Sequence, residues 1–196
     1  MDAPAATSRP RVEGPREQEI LRATLDLLGE TGYDRLTLDA VAARAKASKA
    51  TLYRRWTSKA ELVVEAMLCA AEVEPALPDS GSLRDDLLAM ASQKGLFDPA
   101  RADAFCGLAT AISHDRQLAE ALRARFLDPR NDHLRALLER GLARGQVRPD
   151  ADIDLVVTLI PAMVLFQLTY GDPSTPVQDV IVRVIDELLL PAVRPT

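Results

Sequence analysis

The stretch Thr37–Lys59, TLDAVAARAKASKATLYRRWTSK, contains the two features that decide the fold. The first is a pair of short helical patterns separated by a tight break, which is typical of a helix-turn-helix. The second is a basic island of six residues with no acidic residue among them, namely Arg44, Lys46, Lys49, Arg54, Arg55 and Lys59. The whole chain carries a formal net charge of −5, so this island predicts an anionic partner. The shape predicts that this partner is the major groove of double-stranded DNA.

Residue spacing predicts how the second of these helices, over residues 49–56, is oriented. Leu52 and Trp56 are four residues apart and share one face, which we expect to pack inward against Leu38 and Val41. The opposite face then presents Ala50 and Arg54, flanked by Thr51 and Tyr53. A small residue near the helix start lets the backbone approach base edges, and arginine can contact phosphates or guanine. The alternative is that the basic residues form only a solvated helix face.

The composition predicts an all-α fold. Hydrophobic residues make up 47% of the 196 residues, Ala and Leu are abundant, and runs of strand-favouring residues are scarce. Thr37, Ser48 and Ser58 are suitable N-caps, and Ser58 with Glu61 has the spacing of a capping box. The patterns predict about nine helices, over residues 16–29, 38–44, 49–56, 59–72, 82–95, 99–113, 115–145 with an interruption near 128–129, 152–170 and 176–190.

Several classes of protein are disfavoured by the same sequence. Only two cysteines occur, Cys69 and Cys106, which we expect to be buried small apolar residues without a disulfide framework. The apolar run Leu155–Tyr170 is shorter than the roughly 20 residues of a membrane span, and no secretory leader is recognisable, so we expect a cytoplasmic protein that does not contact a membrane. His114 and His133 lack ligand spacing, and no catalytic constellation is visible. We therefore expect no metal, no cofactor and no enzymatic activity.

Two strings in the N-terminal part carry a family resemblance: GYDRLTLDAVAARA from Gly32 and SKATLYRRWTSKAEL from Ser48. They resemble the DNA-binding domain of the TetR family of transcriptional regulators over about residues 16–70, whereas the rest resembles that family only in helix number and length. The resemblance implies phosphate contacts for Thr37 and Lys59, and mostly backbone contacts for Thr51, Arg54 and Arg55. It implies base-edge contacts for Lys49, Ala50 and Tyr53, and the cap Ser48 is predicted to belong to the same DNA-binding surface.

Two points of this resemblance stay open. The helical wheel favours Arg54 for reading bases, whereas the family pattern assigns it to the backbone. Lys46 stands in the turn where the family usually has glycine. If that turn requires a positive φ, Lys46 is strained by about 1 kcal/mol, and the alternative is an adjusted turn.

The C-terminal helices are predicted to pair two subunits. Residues 155–170 are apolar around most of the helix, and the last helix adds a wide apolar surface, so a single buried face cannot accommodate both. A four-helix interface, which the resemblance also implies, would contain Val156, Ile160, Val164, Val177, Val180, Ile181, Val184, Ile185 and Leu188. The alternative is an unusually thick core within one subunit.

The resemblance also implies a small-molecule effector bound in the C-terminal part. Residues that could line its pocket, each of which could equally be ordinary core, are Met90, Phe97, Phe105, Leu108, Ile112, Phe126, Met163, Phe166 and Tyr170. Because these side chains are mostly apolar, they favour a mainly apolar effector.

The prediction is therefore a ligand-responsive DNA-binding regulator that acts as a homodimer on a palindromic operator, most simply as a repressor. Its expected divisions are a disordered arm (1–15), a three-helix helix-turn-helix domain (16–58), a connecting helix (59–74) and a helical ligand-binding and dimerisation domain (82–196). Arginines of the arm could reach a minor groove, or the arm could be only a solubilising tail. The alternative function is an all-helical small-molecule binding protein or enzyme whose helix-turn-helix no longer binds DNA.

Overall fold

The protein is all-helical over the residues that the structure, a computed structural model, describes, which are 14–70, 77–92, 108, 110–172 and 174–195. Each regular element in these ranges is a helix, which confirms the predicted fold class. The predicted arm (1–15) and most of the predicted helix over 99–113 lie outside the described residues. Of that helix, residues 108 and 110–112 are described, and they are helical.

Four helices form the N-terminal part: α1 (Pro15–Arg35), α2 (Leu38–Arg44), α3 (Lys49–Arg55) and α4 (Lys59–Ala70). Gly32 adopts a positive φ of 74° near the end of α1, where its lack of a side chain permits the kink that turns the chain towards α2. The predicted caps are confirmed, because the hydroxyls of Thr37, Ser48 and Ser58 accept hydrogen bonds from backbone N–H groups of α2, α3 and α4.

The C-terminal part contains shorter helices with two π-helical segments. The helices are α5 (Leu83–Ala91), α6 (Arg116–Leu122), α7 (Asp128–Ala143), α8 (Ile153–Val156), α9 (Leu159–Tyr170), α10 (Val177–Arg183) and α11 (Leu190–Val193). The first π segment is Arg123–Leu127 and the second is Val184–Leu189. The regular α-helix predicted over residues 115–145 is thus interrupted by the π segment, which ends at Leu127, immediately before the predicted break near residues 128–129. Pro129 lies in the first turn of α7, where its missing N–H matters little, and the chain remains helical there.

Buried apolar residues form two cores. The first core joins α1 to α4 with residues 108 and 111 and with Leu118, Leu122 and Phe126 of α6 and the first π segment. The second core joins α5, α7 and the helices from α8 to the C-terminus. Thus α6 and the first π segment pack on the N-terminal helices, although they follow residue 82, where the C-terminal domain was predicted to begin. Cys69 is exposed, contrary to expectation, and Cys106 lies outside the described residues.

A polar contact also joins α1 to the start of α6. The Tyr33 hydroxyl donates to Asp115 Oδ2 at 2.8 Å, and Asp115 is the N-cap of α6, where it accepts from Leu118 N. These two bonds hold the pKa of Asp115 below its usual value, first through the Leu118 N–H and then through the Tyr33 hydroxyl. Nearby, His114 Nε2 lies 3.2 Å from Asp34 Oδ1. The helix-turn-helix part is therefore attached to α6 by polar as well as apolar contacts.

Candidate nucleic-acid interface

The turn between α2 and α3 is closed by a glycine-type cap that contains a lysine. Lys46 has a φ of 51°, in the left-handed region. Its N–H donates to Ala43 O at 3.1 Å, and Ala47 N–H donates to Ala42 O at 2.8 Å, which is the pair of bonds of a Schellman motif. Of the two alternatives left open by the sequence, the structure has the turn with a positive φ, which costs Lys46 about 1 kcal/mol of backbone strain.

The apolar side of α3 is fixed against the rest of the domain. Leu52 and Trp56 are almost completely buried, in the same core as Leu38 and Val41. The Arg55 guanidinium lies 5.6 Å from the Trp56 ring centroid. The predicted inward face is confirmed, and α3 therefore cannot rotate about its axis without opening this core.

The opposite side of α3 is open to solvent. Lys49, Ala50, Tyr53 and Arg54 are exposed, and Tyr53 exposes 58% of its surface. Thr37 and Ser48 are exposed at the helix starts, while Thr51 is half-buried and its hydroxyl lies 2.7 Å from that of Ser48. The structure thus brings most of the predicted DNA contacts onto the exposed side of α3 and the helix starts beside it.

The basic island is not free of acids in three dimensions. Arg44 forms a two-bond ion pair with Glu30, at 2.9 and 2.7 Å. Lys49 Nζ lies 2.5 Å from Asp39 Oδ2, with both side chains well exposed. These carboxylates come from α1 and from the start of α2. The absence of acidic residues between Arg44 and Lys59 in the sequence therefore does not describe the charge around these residues in the folded protein.

Arg55 has a structural position that argues against the predicted phosphate contact. Its Nε donates to Glu17 at 2.6 Å and its Nη2 donates to Glu65 at 2.8 Å. Burial disfavours its charge, but these two carboxylates outweigh that effect and raise the pKa of Arg55. Its Nε and Nη2 are therefore engaged inside the domain.

Lys59 is also engaged within the domain. Its Nζ donates to the Tyr33 carbonyl at 2.9 Å and lies 4.0 Å from the Tyr33 ring centroid. Arg54 differs from the other arginines of the island, because it is exposed and forms no ion pair with a residue that the structure describes. The surface cations left for an anionic partner are therefore Arg54, Lys46 and the weakly paired Lys49.

Two residues that the sequence did not identify, Glu65 and Arg125, connect this interface to the C-terminal part. Glu65 of α4 is almost buried; one of its oxygens binds Arg55 and the other lies 3.6 Å from Arg125 Nη2 in the first π segment. A single acid within the apolar run LVVEAML was the available signal, since a buried carboxylate needs a partner. Its two partners lie ten residues before it and sixty residues after it, so the sequence could not identify them.

The predicted pocket residues do not lie together. Leu108, Ile112 and Phe126 belong to or pack on the first core, whereas Met90 and Met163 pack on the second. Phe97 and Phe105 lie outside the described residues. Phe166 and Tyr170, also predicted to line the pocket, are 56% and 79% exposed and pair with each other at 5.8 Å between ring centroids.

Most of the residues predicted to form the dimer interface are buried within their own subunit. Six of the nine residues are buried in the second core of their own subunit: Val156, Ile160, Val164, Ile181, Val184 and Ile185. Val177 and Val180 are half-buried, and Leu188 is exposed. The large apolar side chains that these helices leave exposed are Leu155, Leu165, Phe166, Tyr170 and Leu188. When a helix is apolar on all sides, one side packs into the core of its own subunit and the apolar residues on the opposite side remain exposed in a single chain.

One segment of the described chain has the length and composition of a membrane crossing, Ile153–Tyr170, with a mean hydropathy of 1.8. The segment is not one continuous helix, because it is interrupted after α8, and it also contains Pro161. Four of its apolar residues pack into the second core: Val156, Val157, Ile160 and Val164. A helix of this kind is also found at the core of proteins that do not enter membranes, so the composition alone is weak evidence for a span.

Comparison with known proteins gives a consistent result over nearly the whole chain. Residues 20–66 match the family model of bacterial regulatory proteins of the tetR family, and residues 77–188 match the model of the tetracyclin repressor-like C-terminal domain. An uncharacterized HTH-type transcriptional regulator of Mycobacterium tuberculosis is 38% identical, over 91% of this chain and 88% of its own length. The DNA-binding transcriptional repressor TetR of Mycobacteroides abscessus is 36% identical, over 92% and 95%. The crystal structure of PfmR, a TetR family regulator from Thermus thermophilus, superposes with a TM-score of 0.62 at 23% identity, covering 88% of this chain and 97% of that one.

Proposed function

Because the chain belongs to the TetR family of transcriptional regulators, we propose that it binds a palindromic operator as a homodimer and releases it when a small molecule binds. Its relatives are transcriptional regulators, so the chain is a regulator rather than an enzyme. The name of the M. abscessus relative supports repression. A regulator of this kind acts in the cytoplasm, where the chromosome is.

The observation that carries the proposal is the two-sided character of α3. Its Leu52 and Trp56 side is clamped into the first core, while Lys49, Ala50, Tyr53 and Arg54 face solvent. A rigid helix with an open, cation-bearing face is what insertion into a major groove requires. The exposed Lys49–Asp39 pair contributes little to stability, so a phosphate or a base can replace Asp39 as the partner of Lys49.

Dimerisation is proposed through the helices that expose Leu155, Leu165, Phe166, Tyr170 and Leu188. Large apolar side chains exposed on a single chain are favourable to bury against a partner. A second copy related by a twofold axis would cover the same side chains on both subunits and present two α3 helices to two half-sites.

The effector is proposed to bind near the apolar residues that join α6 and the first π segment to α4. Leu108, Ile112 and Phe126 belong to or pack on the first core there, and Arg125, next to Phe126, lies 3.6 Å from the Glu65 carboxylate that holds Arg55. A molecule bound at this junction can favour one arrangement of α4 over another, which is the requirement for coupling to DNA affinity.

Selection of genomic DNA fragments, followed by a salt titration of the fragments retained, tests DNA binding. We expect a palindromic sequence and an affinity that falls steeply with salt, by a slope of about −0.9 for each phosphate contacted. The second candidate is a small-molecule binding protein with an inactive helix-turn-helix, which the internal pairing of Arg44 and Arg55 favours. Failure to retain any fragment, or retention without sequence preference, would support that candidate.

A further inference from the structure

Arg130, in the first turn of α7, has a guanidinium that is only partly satisfied. Its Nη1 donates to the Phe126 carbonyl at 2.7 Å, and its guanidinium carbon lies 3.7 Å from the Phe126 ring centroid. The other two nitrogens, Nε and Nη2, are buried, and neither has a hydrogen-bond partner among the residues that the structure describes. The guanidinium of Arg130 therefore packs one face on the Phe126 ring and donates one hydrogen bond through Nη1, while the edge formed by Nε and Nη2 has no acceptor in the described ranges.

An unused buried edge is unfavourable for the protein alone. Burial lowers the pKa of Arg130 to about 10, yet the group stays charged at neutral pH. A buried donor without a partner loses its hydration and gains nothing in return, so such groups in native proteins call for an explanation such as a water or a ligand. An apolar side chain of similar length would cost less in this position.

The geometry of the edge indicates what it fits. Nε and Nη2 form the two-donor side of a guanidinium, which matches the two oxygens of a carboxylate. The same chain shows this pairing at Arg84, whose Nε and Nη2 donate to the two carboxylate oxygens of Asp186 at 2.7 and 2.8 Å. In Arg130 the equivalent edge has no such acid.

Apolar groups surround this charge. Phe126 is buried in the first core, together with Leu122 one turn before it in sequence. We propose that the Nε–Nη2 edge of Arg130 binds the carboxylate head of the effector, whose apolar body lies against the Phe126 side of the first core. The inference rests on the proposed function, and it replaces a mainly apolar effector by an amphipathic one with an anionic head.

The position also provides a route to the DNA-binding face. Arg130 follows the first π segment, in which Arg125 lies 3.6 Å from the Glu65 oxygen opposite the one that binds Arg55. A carboxylate at Arg130 adds negative charge and new contacts next to that segment. Any change in how Arg125 faces Glu65 then acts on the carboxylate that holds the end of α3.

Isothermal titration with two carboxylates, benzoate and decanoate, and with their neutral counterparts, benzamide and decanamide, tests the site on the full chain. We expect at least one carboxylate to bind ten-fold or more tightly than its amide. R130M and R130K should both remove this preference, since one lacks the charge and the other lacks the two-donor edge. The matched control is R84M, which removes an arginine whose edge is already filled, and it should keep the preference.

Thermal unfolding without ligand supplies a readout that does not depend on the choice of probe. We expect R130M to unfold at a higher temperature than the wild type, and R84M at a lower one. Three results would overturn the proposal. R130M could unfold at a lower temperature than the wild type, the wild type could show no preference for the carboxylate over the amide, or R130M could keep that preference. Operator binding is measured on the same proteins. If the wild type binds no DNA but still prefers the carboxylate, the proposed function fails while the Arg130 site stands.

Discussion

Arg55 and Glu65 are joined by a hydrogen bond of 2.8 Å that ties the end of α3 to the middle of α4. The bond is shielded, because Glu65 exposes only 10% of its side chain. Glu17 of α1 binds the Nε of the same arginine. The direction in which α3 points is therefore set by carboxylates of two neighbouring helices, in addition to the apolar clamp of Leu52 and Trp56.

Glu65→Gln should destabilise the protein and weaken operator binding together. Removing the charge leaves Arg55 and Arg125 without their shared partner, and breaking a buried pair costs about 3–5 kcal/mol. Since Arg55 is about one-third exposed, we expect a smaller loss, about 1–3 kcal/mol, in urea unfolding. Glu120→Gln, in an exposed pair with Arg116, is the control and should change little. Equal stability of the two variants would show that the Glu65 pair is not structural.

Tyr53→Ala should weaken operator binding without affecting the fold. Its side chain is 58% exposed on the open face of α3, so its loss removes no core contact. A side chain at a base edge contributes about 1–3 kcal/mol to discrimination, which fluorescence anisotropy with operator DNA would detect. Unchanged affinity would remove Tyr53 from the contacts, and the sedimentation behaviour of the variant shows whether dimerisation is intact.

Arg54→Ala and Arg55→Ala, adjacent in sequence, should have different effects. Arg54 is exposed and forms no ion pair within the described part of the chain, so its loss should reduce the salt dependence of DNA binding by about one unit of slope. Arg55 binds Glu17 and Glu65, so its loss should lower stability first. Salt titrations and urea unfolding on both variants separate the two roles. A larger change in salt slope for Arg55→Ala would restore the phosphate contact that the family pattern implies.

Local sequence signals predicted this interface well where the physics is local. The Thr37 and Ser48 caps and the inward pair Leu52 and Trp56 each depend on residues within a few positions of one another, whereas the conformation of the turn at Lys46 stayed open. The ion pairs were not predictable in this way. Arg55 is 38 residues from Glu17, and Arg44 is 14 residues from Glu30. Only the packing of α1 on α2 and α4 brings these charges together.

The C-terminal helices show a different limit of sequence reasoning. In α9 apolar residues occur on all sides, so the pattern does not distinguish Val164, which faces the second core, from Leu165, which faces solvent. The same ambiguity placed Ile185 in an interface when it is completely buried in its own subunit. Amphipathic spacing identifies a buried face only when the other face is polar.

Lys46→Gly should stabilise the protein by up to about 1 kcal/mol. Lys46 has a φ of 51°, which glycine adopts without the steric cost of a Cβ, although glycine loses more chain entropy on folding. Ala47→Gly in the same turn is the matched control. Ala47 does not have a positive φ, so replacing it with glycine should lower the stability of the protein. The difference between the two variants in urea unfolding checks the prediction, and a destabilised Lys46→Gly would mean that the lysine contributes a compensating contact.

Tyr33→Phe should reduce the loss of stability at alkaline pH. Burial, then the hydrogen bond to Asp115, raises the pKa of Tyr33 above its ordinary value of 10.0. The unfolded chain therefore releases this proton first, and stability falls as the pH rises beyond about 10, while below that pH the contribution is constant. Urea unfolding at pH 8 to 11 should show a smaller decline for Tyr33→Phe than for the wild type. Asp115→Asn should fall between them, because burial remains. Parallel curves for all three would contradict the prediction.

Phe166→Asp should separate the subunits without unfolding them. Phe166 is 56% exposed, and in the proposed interface a charge at this position would be buried unpaired against a second copy. We expect sedimentation equilibrium to show monomers with an unchanged helical spectrum, and operator binding to weaken because the two half-sites are no longer engaged together. Ile185→Ala is the contrasting variant. Since Ile185 is completely buried in its own subunit, it should lose about 2–5 kcal/mol of stability and remain dimeric. If the Phe166→Asp protein stays dimeric, the interface lies elsewhere. If only Ile185→Ala separates the subunits, the interface lies on the helix face that the sequence spacing predicts.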